Sequence, residues 1–441
     1  MLTTLFRPSL IRRFAETVRE EGVALAFAKA RIFTRMVWRG EGRNAVPEPA
    51  DTGSVSDHHY LLGTWRSLAG ADAFHIGQAP ATLSKRRKIA LIGDLNLPQC
   101  RKYRVEQLAE FWRARDIEVT YSHFQDVPRS VQALQDATHL IEYRLHTAPL
   151  NTMYRYEARR LRIPILYDID DPLFSVSAYE RYHNMQAVDS GLKTHFVAEA
   201  PKYLDMLNGA DIVSVSTPAL AEHARRYTSR PVFVRRNFAD SETLAKGHQA
   251  QHSARVNTPR NGLFRLAFSS GSRGHEVDFE TIQDDVISFL EARENRRLMI
   301  LGHFDTSRLH KALRDRVETH AFTSYSGYLG TLAQADCAIM PLADDTFNRC
   351  KSAVRVLDAA AVGVPSIVGT ISDAAHVVRN GKTGFVARDP REWLSALEAL
   401  AQDPTATHAM GSAARSDLEN RWSASATADV IAPELIDWVQ A

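Results

Sequence analysis

The segment from Phe347 to Pro365, F-N-R-C-K-S-A-V-R-V-L-D-A-A-A-V-G-V-P, holds a cation, a helix start and a carboxylate within a few turns of chain. Ser352 is placed to cap a helix whose free N–H groups would point at an anion. Lys351 adds a point charge at that end. Asp358 falls about two turns into the helix, a reach suited to the hydroxyls of a ribose. Gly363 ends the helix and Pro365 opens the next strand. This grouping fits a nucleoside diphosphate, although a capped helix of any α/β domain would share part of it.

Two further stretches carry chemistry. From Ser269 to Phe279 the chain reads S-S-G-S-R-G-H-E-V-D-F. A Gly-rich turn between strand and helix lets backbone N–H groups approach phosphate, with Gly271 in the turn and Arg273 and His275 as cations. From Pro164 to Phe174 it reads P-I-L-Y-D-I-D-D-P-L-F. Asp168, Asp170 and Asp171 thus gather at the carboxyl end of an apolar strand. The loop Asp94–Val105 adds Tyr103 and Arg104 where a helix should begin.

These residues need a scaffold, and the alternation of short apolar runs with helical patterns provides one. Strands are expected at Ile89–Gly93, Ile117–Tyr121, Leu140–Glu142, Ile165–Ile169, Ile212–Ser216 and Val232–Arg235, with a helix at Arg104–Arg115. The pattern pauses over the polar stretch Asp240–Gly262. It restarts with strands at Phe264–Phe268, Leu298–Leu301, Val317–Phe322, Cys337–Pro341, Ser366–Val368 and Gly384–Ala387. Helices are expected at Phe279–Glu294, Thr306–Arg314, Ser352–Val362 and Arg391–Ala401, and a helical tail over Ala424–Val439. Repeated strand–helix units imply parallel sheets covered on both faces. The fold class is therefore α/β, with two doubly wound Rossmann-like domains facing across a cleft. The domains are expected at 88–245 and 263–423, joined by a linker at 246–262, with a helical extension and connector at 1–87 and a C-terminal helix at 424–441. Ligands of such sheets sit outside the carboxyl ends of the strands, here in the cleft.

The Phe347–Pro365 segment resembles the donor-binding motif of retaining GT-B glycosyltransferases of family 4, often written Glu, seven residues, Glu, then A-x-x-x-G-x-P. The second acid corresponds to Asp358 and the first falls on Cys350, as in the N-x-C-K-S form of many bacterial members. That form places Asn348, Lys351 and Ser352 on the donor side. The Ser269–Phe279 turn resembles the family variant S-G-T-x-x-H-x-x-D-F, with His275 in the place of a diphosphate-clamping Lys and Arg273 free to restore the second charge. Asn380–Ala387, N-G-K-T-G-F-V-A, resembles the family's closing strand. Asp170 lies where many relatives carry a catalytic-region His, so the resemblance gives Asp170 and Asp171 catalytic roles: orienting the acceptor hydroxyl or stabilising charge at the anomeric carbon. It puts Tyr103, Arg104 and Asp168 on the acceptor side, Asn237 at a structural hinge and Phe322 beside the base. The family is usually metal-independent, so D-I-D-D is read as no metal site and no cofactor is expected beyond the nucleotide sugar. The resemblance covers about Lys88 to Ala441.

The implied activity is transfer of a hexosyl or deoxyhexosyl group from a nucleotide-diphosphate sugar to a glycan or lipid-linked acceptor, in bacterial surface polysaccharide synthesis. Alternatives are a degenerate, non-catalytic scaffold of the same fold, which Cys350 would favour, or a nucleotide-sugar epimerase. Composition closes other routes. Lys+Arg of 54 against Asp+Glu of 52 is too balanced for a general nucleic-acid binder. Three cysteines, Cys100, Cys337 and Cys350, are too few for a disulfide framework and point to the cytoplasm. No apolar run reaches the ~18 residues that span a membrane, and no signal peptide is apparent. Residues 1–43 have helical apolar spacing and an excess of Arg, which fits either an interfacial helix on anionic lipid or a packed helical hairpin. The Lys85–Lys88 basic run reads as a solvated domain edge.

Overall fold

The computed structural model describes residues 11, 14–15, 17–19, 23–38, 86–257, 262–425 and 430–440. The chain divides into two compact units, Met1–Arg66 and Ser67–Ala441. In the first, the described residues include one helix, Val23–Trp38. The Gly22 break and the connector from 44 to 85 lie outside the described residues.

The second unit holds two six-stranded sheets. The first contains β1 (Lys88–Gly93), β2 (Glu118–His123), β3 (His139–Tyr143), β4 (Ile165–Ile169), β5 (Ile212–Val215) and β6 (Val232–Val234) in the order β2-β1-β3-β4-β5-β6. The other contains β7 (Phe264–Ser270), β8 (Arg296–Gly302), β9 (Val317–His320), β10 (Cys337–Met340), β11 (Ser366–Gly369) and β12 (Gly384–Ala387) in the order β12-β11-β10-β7-β8-β9. All of these strand pairings are parallel. Each sheet is doubly wound, so β3, β4, β5 and β10 are buried along their whole length. That burial on both faces explains why they are largely apolar. Strand order reverses direction at β1 and at β7.

The polar stretch expected as a linker is instead a helix, Ser241–Asn257. Asp240 caps it, accepting from the Thr243 N–H at 2.8 Å. Its buried positions Thr243, Gly247 and Ala250 are small, so no apolar stripe marks it. The small residues serve close packing: a Cβ on Gly247 would sit 2.4 Å from the Ala361 carbonyl. The helix expected at Phe279–Glu294 is broken into Glu276–Glu280 and Gln283–Glu291. The Thr281 hydroxyl takes the Asp278 carbonyl at 2.6 Å, competing with the helical ladder. Thr306–Arg314 forms two short 3-10 turns, Thr306–Arg308 and Lys311–Arg316. A helix with no counterpart in the sequence reading, Pro404–Arg421, follows Asp403, which caps it.

The chain then returns to the first domain. Ala239 N–H donates to the Trp422 carbonyl at 2.7 Å, and Arg236 N–H to the Val430 carbonyl at 2.7 Å. The tail ends in the helix Pro433–Gln440, shorter than the expected 424–439, and His139 meets the Trp438 carbonyl at 3.1 Å. This return strap ties the end of the second domain to the segment 236–239 of the first. Lys88, from the basic run, forms ion pairs with Asp136 and Glu118 at the start of the first sheet.

Candidate active site

The donor-side residues gather at the carboxyl ends of β7 and β10. The helix of the Phe347–Pro365 segment runs from Val354 to Ala361. Its N-cap is Ala353, and Ser352 is not the cap: the Ser352 hydroxyl accepts from Asn237 Nδ2 at 2.8 Å. Asn237 also accepts from Arg104 Nη1 at 3.1 Å, so this hinge residue links the two domains. Arg355, which the sequence reading passed over, follows Lys351 by one helical turn and donates to the Ser269 carbonyl at 2.9 Å. That places a second cation against the Gly-rich turn.

Asp278 organises the turn. It accepts from His275 Nδ1 at 2.8 Å, from Asn348 Nδ2 at 2.9 Å and from the Ala343 N–H at 3.0 Å, with Lys351 Nζ 4.0 Å away. Burial would raise its pKa, but Lys351 and His275 outweigh it and hold the carboxyl well below the usual range. His275, expected as a cation, is neutral: burial, then Lys351 and Arg355, lower its pKa to about 3. Asn348, expected on the donor, is fully buried and braces the loop from within. Gly271 and Arg273 lie on the exposed part of the turn. Gly274 sits at φ +102°, and a Cβ there would lie 2.9 Å from the Asn184 carbonyl of the first domain.

Asp358 is buried and binds two phenols. Tyr103 donates to Oδ2 at 2.6 Å and Tyr325 to Oδ1 at 2.9 Å. Burial raises its pKa to about 6 despite these bonds. Tyr103, expected on the acceptor side, therefore reaches the donor helix. Neither Tyr103 nor Arg104 begins a helix: both lie in a π-helical turn, Arg101–Glu106, continuous with Pro98–Cys100. Cys350 is buried among apolar side chains of the first domain and remains a thiol, its pKa raised to about 12 by burial. Phe322 is 48% exposed and stacks on His303 at 5.1 Å.

The aspartates of the first domain separate into two environments. Asp168 and Arg104, expected on the acceptor side, are buried, each 1% exposed. Arg104 Nε donates to Asp168 at 3.0 Å and Arg235 Nη2 at 2.8 Å, and Ser214 adds a further bond. Burial opposes ionisation of Asp168, but the two arginines and these bonds overcome it and lower its pKa. The reason is position along the chain: Asp168 lies within β4, which is buried along its whole length, whereas Asp170 and Asp171 lie just past its end. Asp170 accepts from the Tyr143 hydroxyl at 3.2 Å and from Arg144 Nη1 at 3.5 Å. Arg144 holds a left-handed backbone, φ 52°, at the end of β3. Asp171 accepts no side-chain hydrogen bond among the described residues; burial, then Asp170, raises its pKa to about 6, with Lys351 among the charges acting against this. Among the described residues no group of three or more His, Cys, Asp or Glu gathers as a metal site.

Two facing doubly wound domains, with carboxylates at the end of β4 opposite cations after β10, define the GT-B class. Residues 273–403 match the family model described as Glycosyl transferases group 1. The fold is similar to that of HepE from Anabaena in complex with UDP-glucose, with a TM-score of 0.50 and 14% identity over 77% of this chain and 96% of that one. It is also similar to a glycosyltransferase from Rickettsia africae (TM-score 0.52, 10% identity, 80% and 98% covered). Sucrose-phosphate synthase from Thermosynechococcus elongatus compares similarly (TM-score 0.50, 14% identity, 76% and 94% covered). No curated protein sequence matches the chain.

Proposed function

We propose that the chain is a retaining, metal-independent glycosyltransferase that moves a sugar from a nucleotide-diphosphate sugar to a glycan or lipid-linked acceptor in bacterial surface polysaccharide synthesis. The observation that carries this reading is the placement of Lys351 and Arg355 at one helix end, with Asp358 further along the same helix and Asp170 and Asp171 across the cleft. HepE, of the same fold, binds UDP-glucose, which supports a nucleotide sugar as donor.

In this reading the diphosphate lies over the Gly271–His275 turn. Lys351, Arg355 and Arg273 neutralise charge as it develops on the leaving group, and the backbone N–H groups of the turn add to this. Asp358 takes the ribose hydroxyls. Asp170, braced by Tyr143 and Arg144, stabilises the oxocarbenium-like anomeric carbon, and Asp171 orients the acceptor hydroxyl on the same face. Closure of the domains excludes water and limits hydrolysis. The buried Cys350 thiol offers the sugar no carboxylate. That observation keeps a second reading in view, a nucleotide-binding scaffold without transfer activity.

The Val23–Trp38 helix exposes Val23, Phe27 and Trp38 together with Lys29, Arg31 and Arg35, a combination suited to the surface of an anionic membrane that carries a lipid-linked acceptor. No helix among the described residues is long and apolar enough to cross a membrane. The donor assignment is tested by a thermal-shift panel of UDP, GDP, ADP and dTDP. A diphosphate at about 100 times its dissociation constant adds roughly 2.7 kcal/mol and raises the melting temperature. No shift with any of them would remove the donor site.

A further inference from the structure

The donor-side groups just assigned are already engaged, and their partners come from the opposite domain. Asp358 has its Oδ2 taken by Tyr103, a first-domain residue, and its Oδ1 by Tyr325. Lys351 donates to the Tyr182 hydroxyl at 2.8 Å. The Tyr182 ring lies flat on Phe347, centroids 4.1 Å apart at 8°. Two residues along, Asn184 donates to Asp278 at 2.7 Å, and His183 N–H donates to Asp345 at 3.1 Å. The 3-10 segment His183–Ala187 follows β4 and the helix Val176–Glu180, so this bracket belongs to the first domain.

We propose that the cleft is self-occupied: Tyr103 and Tyr182 of the first domain hold the ribose carboxylate and the diphosphate cation, and a nucleotide binds only by displacing them. This rests on the donor reading above. The contacts exclude the ligand because the same atoms would serve both. Asp358 is 2% exposed, and each of its oxygens already accepts a phenol O–H on the side a ribose hydroxyl would have to approach. The Lys351 side chain is 14% exposed and directed at a phenol and at Asp278. A phenol O–H donating to Asp358 makes the bond that a ribose O–H would make. A phenol oxygen accepting from Lys351 occupies the place of a phosphate oxygen, without its charge. The substitution is therefore weaker than the ligand's own contacts and reversible. Its effect is to keep an empty cleft closed to water and small solutes, and to couple donor entry to parting of the domains. Apparent affinity is then the intrinsic affinity reduced by the fraction of molecules with the contacts open.

The test is calorimetric binding of UDP, GDP, ADP and dTDP to the full chain and to its Tyr103→Phe and Tyr182→Phe variants. Both substitutions keep the ring and delete only the hydroxyl. Each variant should bind the preferred diphosphate about threefold to tenfold more tightly than wild type, the worth of one hydrogen bond. Without nucleotide each should melt a few degrees lower, because the interdomain bond is gone. Tighter binding with lower unliganded stability separates self-occupancy from a merely structural role, which would weaken both. Equal or weaker binding in both variants, with wild type binding normally, overturns the proposal and leaves the donor reading standing. Failure of every diphosphate to bind any of the three proteins overturns both.

Discussion

Tyr103 and Asp358 belong to opposite domains and share a hydrogen bond of 2.6 Å across the cleft, with the phenol as donor. The contact fixes how close the turn after β1 stands to the helix after β10. It also makes Asp358 the residue on which the proposed donor site and the interdomain contact converge.

Asp358→Ala should weaken nucleoside diphosphate binding by about 1–3 kcal/mol, the cost of leaving a buried donor without its acceptor. Calorimetry on the purified variant reads this directly. Unchanged affinity would take Asp358 out of the ribose site.

Asp168→Asn tests the claim that Asp168 is structural. Arg104 and Arg235 would then share a buried site without a counter-charge, which costs about 3–5 kcal/mol. Urea denaturation should show the loss even without any substrate. A variant as stable as wild type, with only acceptor affinity reduced, would return Asp168 to the acceptor side.

Much of this architecture is legible in the sequence, and the limits have physical causes. The central strands stand out because a parallel strand buried on both faces is largely apolar, whereas the edge strands β2 and β9 are polar-rich and only partly buried. The Ser241–Asn257 helix is hidden because its packed face is Thr243, Gly247 and Ala250, which leave no amphipathic stripe. The Lys351–Asp358 spacing marks the helix proposed to meet the diphosphate. It does not reveal that Asn237 takes the Ser352 hydroxyl, or that burial leaves His275 uncharged, since both depend on contacts distant in sequence. Tyr182 and Asn184 carry no motif, and their role follows from contacts across the domains: Tyr182 with Phe347 and Lys351, Asn184 with Asp278.

Asp171 gives a pH signature. Burial, then Asp170, raises its pKa to about 6 in the fold from its ordinary value of 3.8, so the folded protein holds this proton more tightly than the unfolded chain. The stability it contributes is present below the unfolded value and is lost as pH rises through about 6. Asp171→Asn should therefore gain on wild type at pH 7.5, by roughly 2–3 kcal/mol at ~1.4 kcal/mol per unit, and show little difference near pH 4. Denaturation at the two pH values reads the difference, and transfer activity should fall in the same variant. A pH-independent difference in stability would contradict the assignment.

The Val23–Trp38 helix should bind liposomes only when they contain anionic lipid, with each basic residue near the surface contributing about 1 kcal/mol. Co-sedimentation should fade toward ~1 M salt, where the Debye length is about 3 Å, and vanish when residues 1–43 are deleted. If the truncated protein sediments as well as the intact one, or if the deletion unfolds the first domain, the helix serves packing.

The central claim is tested most directly by following nucleotide-sugar turnover by proton NMR in the presence of EDTA. The account predicts that at least one donor releases nucleoside diphosphate and that the first-formed product keeps the donor's anomeric configuration. Lys351→Ala should slow that release about 10²–10³-fold, the cost of removing one preorganised group from the leaving diphosphate. No turnover of any donor, turnover that requires an added divalent metal, or an inverted product would contradict it.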